Sequence, residues 1–190
     1  MIDTAFTIPE DKVGRMAALY AKKRDGSDFN VADPPAGSLW GKPPVFPSGA
    51  AGLVSTADDY QRFARMILGQ GILDGERVLP RKLVEAMTTD ALTPEQHRDP
   101  FAPFDRFDLD GSEAWTHRGF GYGLAPRTSR VGFGPSVGSV FWPGAFGTTW
   151  NADRQERLAT TLLVQQVSMN PFYTRHDEAF TEAVYRAIDD

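Results

Sequence analysis

Residues 139–150 and 158–167 limit the folds open to this chain more than any other stretch. Both arms are rich in aromatic and β-branched residues: Val140, Phe141, Trp142, Thr148, Thr149 and Trp150 in the first, Thr160, Thr161 and Val164 in the second. Asn151-Ala152-Asp153-Arg154-Gln155 supplies turn formers between them. That composition predicts an antiparallel hairpin. A small-residue kink, Pro143-Gly144-Ala145, interrupts the first arm. Proline cannot donate to a sheet ladder, so Pro143 predicts an edge strand, and Gly144 lets another backbone or a ligand come close. An interrupted edge strand makes a wall for a binding cleft. The second arm is nearly continuously apolar from Leu158 to Val164, which suits a central strand buried on both faces.

Helices are expected around this sheet. Ser55, followed three residues later by Asp58, reads as a capping box. Tyr60, Phe63, Ala64, Ile67 and Leu68 then fall on one helical face, and Gly69 with Gly71 ends it. Pro9-Glu10-Asp11-Lys12 predicts a short helix through Tyr20, and Pro80 opens another through Leu83, Val84 and Met87. Between these two helix starts, Asp74-Gly75 marks a tight turn. Thr174 with Asp177 caps a last helix, whose Phe180, Ala183, Val184, Ala187 and Ile188 form an apolar face for the sheet. Residues 25–49, rich in proline and glycine yet holding Phe29, Trp40 and Phe46, read as a long ordered loop. Residues 90–118 also have loop composition, and Gly119-Phe120-Gly121-Tyr122-Gly123-Leu124 reads as a strand approached closely by another backbone.

Composition removes whole classes of function. With 190 residues, 41% of them hydrophobic, the chain can bury one sizeable core. The sequence has no uncharged apolar window of membrane-spanning length, so no membrane partner is expected. A net charge of −5 without a basic stripe argues against nucleic acid. The absence of cysteine excludes disulfides, thiolate zinc sites and cysteine nucleophiles, but leaves the compartment, cytoplasmic or periplasmic, open.

Local motifs yield little chemistry. Gly134-Pro135-Ser136-Val137-Gly138 matches the nucleophile-elbow pattern, which needs a strand before the serine and a helix after it. Strand-like Ser139-Val140-Phe141-Trp142 follows instead, so a glycine-rich turn is the simpler reading of Ser136. His97, His117 and His176 fall in no triad or metal-ligand spacing. Asp108-Leu109-Asp110-Gly111 lacks the third acidic ligand and the terminal glutamate of a calcium loop. No metal and no cofactor is expected.

Trp142-Pro143-Gly144-Ala145-Phe146-Gly147-Thr148 resembles the third active-site motif of the serine β-lactamase, penicillin-binding protein and esterase superfamily, in its class C-like carboxylesterase branch. That motif is Lys-Thr-Gly, His-x-Gly or Trp-x-Gly on an edge strand, then a glycine-rich turn into a second strand. Met1-Ile2-Asp3-Thr4-Ala5-Phe6 and Gly52-Leu53-Val54-Ser55-Thr56-Ala57-Asp58-Asp59-Tyr60 carry the resemblance upstream. It implies an α+β fold, an antiparallel β-sheet with flanking helices forming the C-terminal part of the β-lactamase/transpeptidase-like fold. The 190 residues would be one partial domain: 1–118 helix and loop bordering the active site, 119–167 antiparallel strands, 168–190 a C-terminal helix.

The resemblance also implies acyl-enzyme chemistry whose nucleophile lies elsewhere. The family attacks with the serine of Ser-x-x-Lys and moves protons through the tyrosine of Tyr-x-Asn or Tyr-x-Ser. Here Lys12, Lys22, Lys23, Lys42 and Lys82 never follow a serine by three, and no tyrosine precedes Asn or Ser by two. The chain would supply an oxyanion-hole N–H at Ala145, beside Gly144, and substrate-facing groups at Trp142, Pro143 and Phe146. Trp142 stands where β-lactamases place a lysine for the substrate carboxylate, so the small-molecule substrate is an ester or amide, with esters favoured over β-lactams. The chain alone is expected to be inactive, and to pair with a missing N-terminal half or self-associate through residues 158–167. The alternatives are a non-catalytic module binding through Trp40, Trp115, Trp142 and Trp150, or a stand-alone α/β-hydrolase using Ser136.

Overall fold

The computed structural model describes residues 1–23, 25–98, 117–167 and 175–188. Its centre is a four-stranded antiparallel sheet ordered β5 (Ala125–Pro126), β6 (Val140–Pro143), β7 (Thr149–Asp153), β8 (Leu158–Leu162). Two hairpins stand apart from it: β1 (Leu19–Lys22) with β2 (Phe29–Asp33), and β3 (Ile72–Leu73) with β4 (Glu76–Arg77). The helices are α1 (Ala57–Leu68), α2 (Arg81–Thr88), α3 (Pro94–Arg98) and α4 (Arg175–Arg186). The α+β class with an antiparallel sheet and flanking helices is the one expected.

Strand β7 shows why the sheet is stable, because all five of its residues are buried. Alternate side chains point to opposite faces of a strand. Trp150 and Ala152 join Ala64, Met66 and Ile67 of α1 in the core, with Val140 from β6 and Val84 from α2. Tyr60 and Phe63 bring their rings to within 5.9 and 5.2 Å of Trp150. Each large apolar side chain buried here contributes roughly 1.5–3 kcal/mol. On the other face the Asn151 amide donates to Tyr185 of α4 at 3.0 Å, and the Tyr185 hydroxyl donates to Asp153 at 2.9 Å. The sheet is thus a filling between α1 and α4.

Several local expectations shift. The kink at Pro143-Gly144-Ala145 is a complete chain reversal, so the first arm is two strands, and Asn151, Ala152 and Asp153 lie inside β7 rather than in a turn. The turn to β8 begins at Arg154. Pro143 is on an edge only locally: β5 pairs with Val140 and Phe141 and stops, while Trp142 and Pro143 pair with Trp150 and Thr149 of β7. The α1 N-cap is Thr56, whose hydroxyl accepts from the Asp59 N–H, one residue beyond the expected Ser55. The helix expected through Tyr20 is a 3₁₀ turn over Glu10–Arg15, followed by β1. Tyr20 bonds there to Gln165 and Val167, a pairing with no local signal. β2 likewise runs through the expected loop 25–49. Residues 119–124 form turns before the two-residue β5.

On α4, Tyr185 rather than Ala183 or Ala187 is the buried residue, because the polar face of β7 selects a hydroxyl. Thr174, Trp115 and the Asp108–Gly111 stretch lie outside the described residues. β8 expected a neighbour on each side; in this structure β7 covers one edge, and its residues are only half-buried.

Candidate active site

The turn between β6 and β7 brings the expected residues together. Pro143 is buried, Trp142 and Gly144 are half-buried, and Ala145 is exposed at the tip. The Gly144 N–H donates to Thr148 O at 2.7 Å and the Gly147 N–H to Gly144 O at 2.9 Å, closing a tight loop. A Cβ on Gly144 would overlap the Thr148 hydroxyl. The close approach foreseen for Gly144 is therefore made, by its own turn, to Thr148. Gly147 adopts φ 79, a left-handed conformation that glycine reaches without steric cost.

Phe146 fastens this turn from outside. Its carbonyl accepts from the Gln166 N–H at 2.9 Å, and its ring meets Trp40 edge-on with centroids 6.1 Å apart. Trp40 is itself held, its indole N–H donating to Gly52 O at 3.1 Å and its carbonyl accepting from Ile8. Among the described residues the Ala145 N–H donates to no acceptor, which leaves it available to an oxyanion.

Trp142 adjoins the turn. Part of its ring packs on the core, and Phe120 meets it edge-on at 5.5 Å. Phe120 is placed by Asp90, which sequence reasoning passed over as part of a loop. The Asp90 carboxylate accepts from the N–H of Phe120 at 3.0 Å and of Leu92 at 3.2 Å, and pairs with His97 at 2.6 Å. A Cβ on Gly119 would strike this carboxylate, so glycine there admits the aspartate. Burial alone would raise the Asp90 pKa, but the Phe120 and Leu92 N–H groups and His97 outweigh it and hold the carboxyl below its ordinary value. An Asp two residues before a bonded N–H is an Asx turn, the only local signal that marked it.

The remaining candidates lie apart. Ser136 is 3% exposed, its N–H donates to Asp153, its hydroxyl donates to Glu156, and β6 rather than a helix follows. Acidic partners with no histidine base give no activated nucleophile. His117 contacts Ser129, and His176 is exposed on α4. Among the described residues no group of three His, Asp or Glu side chains could hold a metal ion, and no helix is long and apolar enough to cross a membrane.

A family model described as Beta-lactamase matches residues 1–184. Two curated relatives from Mycobacterium tuberculosis, Uncharacterized protein MT1414 (strain CDC 1551 / Oshkosh) and Protein Rv1367c (strain H37Rv), are each 42% identical over 171 residues. The match covers 87% of this chain and 40% of each relative, so the chain spans well under half their length. Among solved structures, a LovD6 mutant of simvastatin synthase from Aspergillus terreus superposes with a TM-score of 0.78 at 19% identity, over 97% of this chain and 46% of that one. EstCE1, a hydrolase with promiscuous acyltransferase activity, gives 0.69 at 19% identity, over 96% and 46%. Their likeness is one of fold.

Proposed function

Because the chain belongs to the β-lactamase family, we propose that it forms the far wall of a serine hydrolase site that works through an acyl-enzyme. In this reading the nucleophilic serine and its lysine and tyrosine partners lie outside these 190 residues. The observation that carries it is the β6–β7 turn, where Ala145 presents an undonated N–H at an exposed tip. Charge builds on the carbonyl oxygen as a serine attacks, and a fixed N–H aimed at it stabilises the transition state more than the ground state. Trp142 beside it favours the apolar acyl or alcohol part of an ester and has no cation for the carboxylate of a β-lactam. That two fold neighbours bear the names of a synthase and of a hydrolase with acyltransferase activity agrees with acyl transfer to water or to an alcohol.

The test compares hydrolysis of p-nitrophenyl butyrate and a chromogenic cephalosporin by the chain alone and by the chain mixed with the part of Protein Rv1367c that it does not match. Turnover only in the mixture, greater for the ester, is the expected result. Turnover by the chain alone that Ser136→Ala abolishes would overturn it.

A further inference from the structure

The β7–β8 turn lies at the end of β7 away from Ala145, and there a groove of about 540 Å³ opens between it and the C-terminal end of α1. Its lining is Arg65, Leu68, Gly69, Arg154 and Arg157. We propose that this groove binds a small, multiply charged phosphate compound.

Three arginines from two separate elements line it, in a chain whose net charge is −5. Like charges brought together repel, though at this exposed surface water screens them, and an anion that bridges the arginines gains from each unless carboxylates of the protein already neutralise them. They do so only in part. Arg65 donates to Asp74 at 2.8 Å, but Arg62 claims the same carboxylate at 3.1 Å, so two cations share one anion. Arg154 is aimed by a neutral group: with the Gln70 amide oxygen turned toward it, its two terminal nitrogens donate at 2.9 and 2.7 Å. That contact orients the guanidinium without discharging it. Glu85 feels the Arg154 charge but is already paired with Arg81 and Lys82. Arg157 forms no ion pair among the described residues.

The backbone points the same way. Arg157 sits at φ 51 and Gln70 at φ 52, left-handed conformations in which a side chain is strained and glycine is not. Of the three non-glycine residues in that conformation among the described residues, Asp74 at φ 51 turns β3 into β4, Arg157 lines the groove and Gln70 aims Arg154 into it. Planar guanidinium forks match the oxygen spacing of phosphate and bind it through paired charge-assisted hydrogen bonds. Such a site takes no part in acyl transfer, so it stands or falls independently of the proposed chemistry.

Pyrophosphate titrated into the soluble 190-residue chain at low salt, followed by calorimetry and by backbone amide shifts, tests the assignment. Binding is expected, with the shifts centred on Arg65, Gly69, Arg154 and Arg157. Arg157→Gly should weaken it roughly tenfold or more, the loss of one charge-assisted hydrogen bond to an anion. Because glycine relieves the left-handed backbone, the same variant should keep or raise its unfolding temperature, which separates lost binding from lost folding. Lys42→Ala removes the same charge elsewhere and should leave affinity unchanged. The proposal is overturned if pyrophosphate moves none of these amides at millimolar concentration, or if Lys42→Ala weakens binding as much as Arg157→Gly.

Discussion

The ring of Phe120 stands edge-on to Trp142, centroids 5.5 Å apart and planes at 72°, while its own backbone N–H is held by Asp90. The tryptophan is therefore braced from a segment more than fifty residues earlier in the chain. Where the chain completes a serine hydrolase site as proposed, Trp142→Lys is expected to lower turnover of short-chain esters, because a hydrated cation replaces an apolar face. β-Lactam binding should rise or stay level. Steady-state kinetics with both substrate types check this, and unchanged ester kinetics would remove Trp142 from the site.

Ala145→Pro deletes the candidate oxyanion donor while leaving a residue of modest size at an exposed tip. The expected loss in kcat is about 10²–10³, the range found when one such donor is removed. Ala145→Gly keeps the N–H and should retain most activity. A proline variant as active as the glycine variant would show that the N–H does not serve the reaction.

Burial, and then the neighbouring Asp153 charge and hydrogen bond, push the Tyr185 phenol well above its ordinary range. A raised folded-state pKa means that the native protein holds this proton more tightly than the unfolded chain. Its contribution is complete below the unfolded value of about 10 and is lost as pH rises beyond it. Denaturant midpoints should fall between pH 9 and pH 11 by roughly this mechanism. Tyr185→Phe should start less stable and show a shallower alkaline decline. An equally steep decline in the variant would place the cause elsewhere.

Asp59 gives the opposite sign. Burial would raise its pKa, but the Asp3 N–H at 2.7 Å, the Thr4 hydroxyl at 2.8 Å and the Ile2 N–H at 3.0 Å outweigh it, and the carboxyl is held low. A depressed folded-state pKa contributes stability above the unfolded value, near 4, that disappears as pH falls through the folded one. The protection of the Ile2 and Asp3 amides against exchange should therefore fall below about pH 4 ahead of that of the β7 core. Asp59→Asn, which keeps one acceptor but no charge, should free the same amides at neutral pH at a cost of about 1–3 kcal/mol. Ile2 and Asp3 amides that exchange no faster in Asp59→Asn would show that the carboxylate does not anchor them.

Among the described residues β8 has one edge without a neighbour, and with Leu163 41% exposed just beyond it that edge is a template for another strand. Light scattering coupled to size exclusion should give a mass above 20.9 kDa for the chain alone. Leu163→Lys should shift it toward the monomer. A monomeric wild-type chain with cooperative unfolding would show that β8 needs no neighbour.

What could be read from sequence was whatever rests on local pattern. The α1 face of Tyr60, Phe63, Ala64, Ile67 and Leu68 packs as its spacing requires, and Asp74-Gly75, at φ 51 and 86, turns β3 into β4. Asn151 and Asp153 misled because their turn propensity is outweighed by partners far along the chain, Tyr185 and Ser136. The same holds for β1, which is paid for by backbone bonds to Gln165 and Val167 that no nearby residue announces. At the candidate site, Trp142 through Phe146 stood out as a contiguous motif, whereas Asp90 acts through space on Phe120 and has no spacing to reveal it.

The Asp153 carboxylate accepts from the N–H groups of Ser136, Gln155 and Glu156 and from the Tyr185 hydroxyl, and its residue is wholly buried. During synthesis these partners emerge in chain order, and Tyr185 leaves the ribosome last. Until then α4 cannot cover that face of β7, and the Asp153 side chain lacks both its shelter and its fourth donor. The sheet can sketch its hairpins as it is made, but its polar face closes only after translation has passed residue 185. A ribosome stalled before that point should display a nascent chain whose α1 side is formed and whose α4 side is still wet.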